Sequence, residues 1–533
     1  MIAECPLARS LTAFIFLLVN RPPPAPQNLI FKMLRDATSA CERQNYQHCF
    51  DILERASRLS PNDPCILLEL GNAHGRRYDF ATAEICFEKA IRVSGWKAEA
   101  FLAAGLHCLN LRNDEMAERY LKRAIERENA PGAALIKLAW IYEIRRHPEK
   151  AADLVARVLK SDPSNAAALF VEARFERLAG HLENAEKKLR LFLSKSGVDV
   201  ESRANGWYEL AGILDAQKRY DEAMTSLLEA KKLLRPFFGN EIARLQRFQS
   251  KMLETEKMIS GDVLHRWFDS GAQLQPGRRF ALLCGHPRSG TTLLEQVLDS
   301  HDDLISLEEA RVFSEEASRP LHRNLSDETP ELSVLESASE DRLRQSREDY
   351  FKFAEKLLGE AVGGRLLIDK NPALTSAIPA VVRIFPEAKF LVAIRDPRDV
   401  CLSCFMQPLG VNTVSSAYLS LEGTVTQYAS EMGFWRAMQP RLKNPAIEIR
   451  YEDLVNDLES ASRRVLKFLG VDWDERVLRF NEHAQNKIVR SVTSTDVTKP
   501  IFKTAVGRWR NYQKYLEPHL KKLEPLSKAF GYE

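Results

Sequence analysis

Phe280-Ala-Leu-Leu-Cys-Gly285-His-Pro-Arg288-Ser-Gly290-Thr-Thr292-Leu-Leu-Glu295 is an apolar run that meets a glycine-turned, hydroxyl-rich loop, and the loop opens a helical pattern. A strand, a turn and a helix N-terminus in that order predict an anion cradle of backbone N–H groups. Gly285 and Gly290 keep the G-x-x-x-x-G spacing of a phosphate loop, but Thr291 stands where the lysine should be. In nucleotide triphosphatases that lysine reaches the β- and γ-phosphates. The stretch therefore predicts a phosphate-bearing ligand and argues against ordinary ATP or GTP hydrolysis. Arg288 and the hydroxyls of Thr291 and Thr292 are the candidates to do the lysine's work.

Downstream, strand-like runs at Arg279–Cys284, Leu366–Asp369, Lys389–Arg395 and Ile447–Arg450 are separated by helical patterns. One of these, Glu340–Leu358, has Ser339 as its expected N-cap and two acids in its first turn. Strands alternating with helices predict a parallel sheet, whose ligands sit beyond the strands' carboxyl ends.

Upstream, the chain repeats every 34 residues. A unit starting at Pro64 carries Leu70-Gly71, Ala83, Phe87 and Ala90. Units from Ala98, Gly132 and Ala166 keep the register with Ala104-Gly105, Ala117 and Ala124, then Leu138-Ala139 and Ala151, then Ala173 and Ala185. The next unit starts four residues late at Ala204, and a degenerate unit precedes them from Ile30. Small residues at fixed offsets let the two helices of each hairpin approach closely, and this pattern is similar to the tetratricopeptide repeat. Five to six units exceed the minimum of about three needed to share a core. The expected organisation is an N-terminal segment over 1–29, repeats over 30–237, a helical linker over 238–278 and an α/β domain over 279–533.

Composition excludes some functions. With 45% hydrophobic and 28% charged residues and a net charge of +3, the chain has the make-up of a soluble protein without a polyelectrolyte partner. Nine scattered cysteines suit a reducing compartment, and a cytoplasmic location is expected. The lone C-x-x-C of Cys401 and Cys404 reads as core packing. Leu11–Val19 is too short to span a bilayer, which takes about 20 residues. Residues 1–29 read as a disordered or mis-started segment rather than a secretion signal.

Four further clusters could carry chemistry. Arg395 at a strand end and Ser403 a turn or two into the next helix can converge on one phosphate. The alternative there is an Arg–Asp surface network around Asp396 and Asp399. Lys370 directly follows a strand; taken alone it reads as an exposed lysine. Glu308, Glu309 and Arg311 follow a short strand, and a polar loop from Thr493 to Lys499 precedes Gly507-Arg508-Trp509.

In combination, Pro287-Arg-Ser-Gly-Thr-Thr-Leu, Leu-Asp-Ser-His, Glu-Glu-Ala-Arg, Asp-Lys-Asn-Pro, Arg395…Ser403, Tyr451-Glu-Asp-Leu-Val and Val-Thr-Lys-Pro…Gly-Arg-Trp resemble the sulfotransferases that use 3′-phosphoadenosine 5′-phosphosulfate (PAPS). The resemblance covers about Arg279 to Tyr515, is nearest the tyrosylprotein sulfotransferase branch, and with the repeats is similar to a group of bacterial proteins. It implies that Arg288, Ser289, Gly290, Thr291 and Thr292 bind the donor's 5′-phosphosulfate, and that Arg395, Ser403 and Arg508 bind its 3′-phosphate. It implies that Tyr451 lies near the nucleotide and that a loop from Thr493 through Lys499 to Phe502 closes over it. Glu309 matches the family's base, Arg311 a residue near the acceptor, and Lys370 a lysine that steadies the transferring group. No metal is implied. Gln407 departs from the pattern, standing where that branch often has a basic residue. The expected fold is thus a tetratricopeptide superhelix followed by a P-loop-like α/β sulfotransferase domain, without a membrane span or a nucleic-acid partner. The expected activity is sulfuryl transfer from PAPS to an acceptor hydroxyl, with protein tyrosine foremost. The alternatives are a glycan, lipid or small-phenol acceptor, or a repeat scaffold with an idle nucleotide domain.

Overall fold

A computed structural model describes residues 25–486 and 501–532, apart from residues 43–44, 146, 275–276, 324, 327, 409 and 502. Most of the N-terminal segment 1–29, and the expected loop residues Thr493 and Lys499, lie outside the described residues. The described chain falls into two compact units that divide between Leu234 and Arg235.

The first unit is a series of six antiparallel helix pairs. The first helices of the central pairs begin at Pro64, Ala98, Gly132 and Ala166, and their partners begin at Phe80, Asp114, Pro148 and Leu182, so the 34-residue register is the spacing of the hairpins themselves. Asp63, Asp79, Asn113 and Asn165 cap helix N-termini with their side chains, which supplies backbone N–H groups that would otherwise lack partners. Ala83, Ala90, Ala117, Ala124, Ala151 and Ala185 are wholly buried between paired helices. A Cβ at Gly71 would lie 2.5 Å from the Phe87 ring, which explains glycine at that offset. The late start at Ala204 has a physical counterpart: its helix spans Val200–Ala216, longer than the Ala166–Leu178 helix before it. Cys41, Cys49 and Cys108 are buried as core residues, whereas Cys65 and Cys86 are only half-buried.

The second unit centres on five parallel strands: β1 (Phe280–Gly285), β2 (Leu304–Glu308), β3 (Leu366–Lys370), β4 (Lys389–Ile394) and β5 (Ala446–Arg450). Their order is β2-β3-β1-β4-β5. β1 lies between β3 and β4, so the loop after β1 opens into the crevice where ligands bind in such sheets. β1 and β3 are buried along their whole length, as strands covered on both faces should be. The helix Glu340–Leu358 forms as its sequence predicts, with Ser339 accepting from the N–H of Arg342. The helical stretch read as a linker includes helices Gly239–Met258 and Gly261–Asp269, which belong to this unit. Gln249 donates to Gln427 at 2.8 Å, Thr413 donates to Glu241 at 2.8 Å, and Trp267 donates to Glu336 at 3.0 Å.

Candidate active site

Each strand of the sheet ends at, or one or two residues before, a residue singled out from the sequence. β1 runs into the loop His286–Ser289, and β2 ends at Glu308 with Glu309 next. β3 ends at Lys370, β4 is followed by Arg395, and β5 by Tyr451. Parallel registry then sets the neighbours. Glu308 is paired with Lys370 across β2 and β3, and the Glu309 N–H donates to the Lys370 carbonyl at 2.8 Å.

The loop after β1 is held open by unusual backbone. Gly285 has φ 126° and sits so close to β4 that a Cβ would meet the Ala393 carbonyl oxygen at 2.5 Å. Its N–H donates to the Thr375 hydroxyl at 2.9 Å. Arg288 has φ 74° and Gly290 φ 93°. Gly290 offers no side chain to cap the helix Thr291–Asp299, so the first-turn N–H groups stay available to an anion. A Cβ at Gly290 would lie 2.6 Å from the Tyr451 ring, which packs against the loop. In the second unit Arg288 and Glu309 (φ 43°) are the two described non-glycine residues with positive φ. Side chains other than glycine adopt that region at a cost, and retention of such strain is characteristic of functional sites.

The cationic side of the site is built on the helix Pro397–Met406. Arg288 Nε donates to Ser403 Oγ at 3.1 Å. Arg395 is buried; its guanidinium donates to the carbonyls of Arg288 at 3.1 Å and Ala505 at 2.6 Å, and lies over the Tyr451 ring at 4.8 Å. Arg395 Nε is buried without a partner among the described residues, a donor in search of an acceptor. Asp399 accepts from the N–H groups of Gly507 at 2.7 Å and Trp509 at 2.8 Å, which brings the turn bearing Arg508 beside this helix. Asp396 caps the same helix and pairs with Arg398 at 2.8 Å. Asp396 and Asp399 are both buried, so the surface-network alternative does not describe them.

The acidic side is built around Lys370, which is wholly buried instead of exposed. Its Nζ lies 3.0 Å from Glu309, 3.3 Å from Glu295 and 3.8 Å from Glu308. Burial alone would lower the pKa of the ammonium, but the carboxylates of Glu295, Glu309 and Glu308 outweigh it and hold the group above the ordinary lysine value. Asp369, one residue back and on the other face of β3, accepts from the Tyr350 hydroxyl at 2.8 Å. Burial raises its carboxyl to about 7, against the pull of that hydrogen bond and of Lys370.

The structure brings together Arg288, Ser403, Arg395, Gly290 and Tyr451 on one side and Glu309 with Lys370 on the other. Ser289, Thr291 and Thr292 are buried at the loop and the first turn of its helix. Arg311 is exposed beyond Glu309, where a six-residue π-helix, Phe313–Ser318, follows. Sequence reading missed three participants. Glu295 stood at the edge of the loop motif without a role, Thr375 is an isolated threonine, and Asp399 was weighed only as a surface charge. The Leu-Asp-Ser-His motif proves to be a structural turn: Asp299 accepts from the Ser306 N–H at 2.8 Å, and His301 contacts the Asp472 carbonyl at 2.9 Å. Cys401 and Cys404 are buried in their helix, and burial pushes the Cys404 thiol up to about 12.

Residues 281–475 match the model of the sulfotransferase family, and residues 204–233 match the tetratricopeptide repeat. The sulfotransferase match thus falls on the parallel-sheet unit, and the tetratricopeptide match on the last of the helix pairs that precede it. The chain is similar to an uncharacterized protein of Aquifex aeolicus, with 26% identity over 414 residues that cover 76% of this chain and 52% of that one. It is also similar to the protein-tyrosine sulfotransferase of Drosophila melanogaster, with 26% identity over 292 residues covering 52% of this chain and 55% of that protein. The chain spans about half the length of these two relatives. Among solved structures it is similar to the sulfotransferase domain of the Synechococcus PCC 7002 olefin synthase, with 22% identity, 49% of this chain and 97% of that chain covered, and a TM-score of 0.35. No helix among the described residues is long and apolar enough to cross a membrane.

Proposed function

We propose that the second unit moves a sulfuryl group from PAPS to an acceptor hydroxyl, and that the acceptor is a tyrosine of a protein. The observation that carries this reading is the convergence of Arg288, Glu309, Lys370, Arg395 and Tyr451 at the carboxyl edge of one parallel sheet. The matched sulfotransferase family supports the reaction class, and the relative named a protein-tyrosine sulfotransferase supports the acceptor. Repeat arrays of this kind present extended surfaces suited to a protein acceptor. The buried free cysteines support a cytoplasmic location.

The residues present suit the donor. The first turn of Thr291–Asp299, without a side-chain cap among the described residues, and the strained Arg288 suit its phosphosulfate, while Arg395, whose buried Nε has no partner among the described residues, and Ser403 suit its 3′-phosphate. When bound, PAPS supplies an activated sulfuryl group whose departure leaves adenosine 3′,5′-bisphosphate. Glu309 takes the acceptor hydroxyl's proton as the new oxygen–sulfur bond forms. The electron pair of the breaking bond stays on the leaving oxygen, and the Lys370 ammonium, Arg288 and the helix N–H groups stabilise the charge that grows there. The resemblance adds Arg508 to the 3′-phosphate site and sets Arg311 near the acceptor; Thr493 and Lys499, which it also assigns to the donor, lie outside the described residues.

The test is thermal stabilisation by adenosine 3′,5′-bisphosphate against ATP, each with and without magnesium. A ligand at 100 times its dissociation constant adds about 2.7 kcal/mol. A shift with the bisphosphate, followed by label transfer from PAPS to tyrosine peptides, is the expected result. A shift only with ATP and magnesium refutes the proposal.

A further inference from the structure

Glu295 has no part in the roles assigned so far, yet it occupies a strategic place. It lies one turn inside the helix Thr291–Asp299, and its side chain is wholly buried. One carboxylate oxygen accepts from the Ser306 hydroxyl at 3.0 Å, and the other lies 3.3 Å from Lys370 Nζ. Asp299 on the same helix accepts from the Ser306 N–H. Two carboxylates therefore fasten the loop helix to β2, and one of them reaches across to the last residue of β3. A buried carboxylate is costly unless a cation and hydrogen bonds compensate it. Holding Lys370 in place would need one such partner, and Glu309 already stands at 3.0 Å. Two close carboxylates on one ammonium imply a division of labour.

We propose that Glu295 is a positioning residue: a fixed counter-ion that keeps the Lys370 ammonium charged and in place whatever the protonation state of Glu309. The inference rests on the sulfuryl-transfer reading above. In that reaction Glu309 gains the acceptor's proton, so its attraction for Lys370 falls just as negative charge builds on the leaving oxygen. Glu295 undergoes no such change and prevents the lysine from drifting. Its charge has a second effect. Glu295 and Glu309 flank the same ammonium, so the negative charge on one raises the proton affinity of the other and makes Glu309 a better base. Among the described residues, the charged groups facing Lys370 are Glu295 from the loop helix, Glu308 at the end of β2 and Glu309 just beyond it; Asp369, its neighbour on β3, is engaged by Tyr350.

The experiment compares wild type, E295Q and E295D in the pH dependence of sulfuryl transfer from PAPS to a tyrosine peptide. It adds thermal unfolding of E295Q, K370M and the double variant. Glutamine keeps the shape and the Ser306 contact but removes the charge. Expected for E295Q are a kcat reduced roughly tenfold or more with KM for PAPS little changed, and any acid limb displaced to lower pH, because Glu309 loses a like-charged neighbour. E295D, which keeps the charge, recovers much of the wild-type profile. In unfolding, E295Q and K370M are each destabilising, and the double variant loses less than the two losses added. Additive losses overturn the pairing whatever the activity. An E295Q profile and kcat like wild type overturn the positioning role. If E295Q does not fold alone, recovered folding in the double variant supports the pairing and no recovery refutes it. A wild-type chain that transfers nothing to any tyrosine peptide counts against the preceding reading, and the unfolding cycle then decides the pairing by itself.

Discussion

Both units contain non-glycine residues with positive φ, but they serve different ends. In the repeats, Tyr78 and Arg112 stand 34 residues apart, each at the turn between paired helices, with φ 58° and 56°. Each is the residue by which one helix stops and the next begins, so the strain is periodic and structural. In the second unit the residues are Arg288 and Glu309, each just beyond the carboxyl end of a strand, with no repeat to account for them. Strain that recurs with a fold's period is part of its construction. Strain that falls on charged side chains at one sheet edge is held there by the surrounding structure, and marks the site. The two units also differ in how buried charge is handled. The repeat ion pairs Arg177–Glu209 and Arg174–Glu143 link neighbouring hairpins, whereas three carboxylates meet a wholly buried lysine at the edge of the sheet.

The harshest test of this contrast is Lys370→Met. Breaking a buried pair leaves uncompensated charge, and here three carboxylates are affected, so a loss of about 3–5 kcal/mol is expected, together with loss of transfer. Denaturant unfolding measures the first and an assay of label transfer the second; a variant as stable as wild type would show that the lysine is dispensable to the fold. Next in size is Glu309→Gln, which should lower transfer by roughly 10²- to 10⁴-fold while bisphosphate binding, followed by calorimetry, stays close to wild type. Loss of binding and transfer together would remove Glu309 from the role of base.

The repeats were legible because their determinants are local and periodic: Ala83, Ala117 and Ala151 announce close helix packing wherever the 34-residue period puts them. The sheet was legible for a related reason, since buried strands such as Phe280–Gly285 are apolar runs bounded by turn residues. The cationic half of the site could be read because Arg395 and Ser403 lie on one strand–helix junction. The acidic half could not be read in full. Lys370 looks like a surface lysine until the β2–β3 register sets it against Glu308 and brings Glu295 in from another helix. Asp399 was opaque for the same reason, because its partners Gly507 and Trp509 are over 100 residues away in the chain.

Two glycines sharpen the comparison at smaller cost. Gly71→Ala forces a Cβ into the Phe87 ring and should destabilise the repeat unit by about 1–3 kcal/mol without changing bisphosphate affinity. Gly290→Ala meets both positive φ and the Tyr451 ring, and should cost bisphosphate affinity more than it costs stability. The same pattern of losses from both substitutions, read by differential scanning calorimetry and titration, would erase the distinction between structural and site glycines.

The smallest expected effect is a slope. Burial raises Asp369 to about 7, so between its unfolded value near 3.8 and that point the folded chain holds a proton the unfolded chain has released. Where the native state binds more protons, stability falls as pH rises, here by at most about 1.4 kcal/mol per pH unit, and the fall ends above the folded pKa. Asp369→Asn keeps the shape and an acceptor for the Tyr350 hydroxyl, and its amide can fill the position of Asp369 Oδ1, which is buried without a partner among the described residues. The variant should therefore gain on wild type steadily from pH 5 to pH 7 and hold that gain above it, as read by urea unfolding at each pH. Parallel curves for the two proteins would mean that Asp369 stays ionised against Lys370.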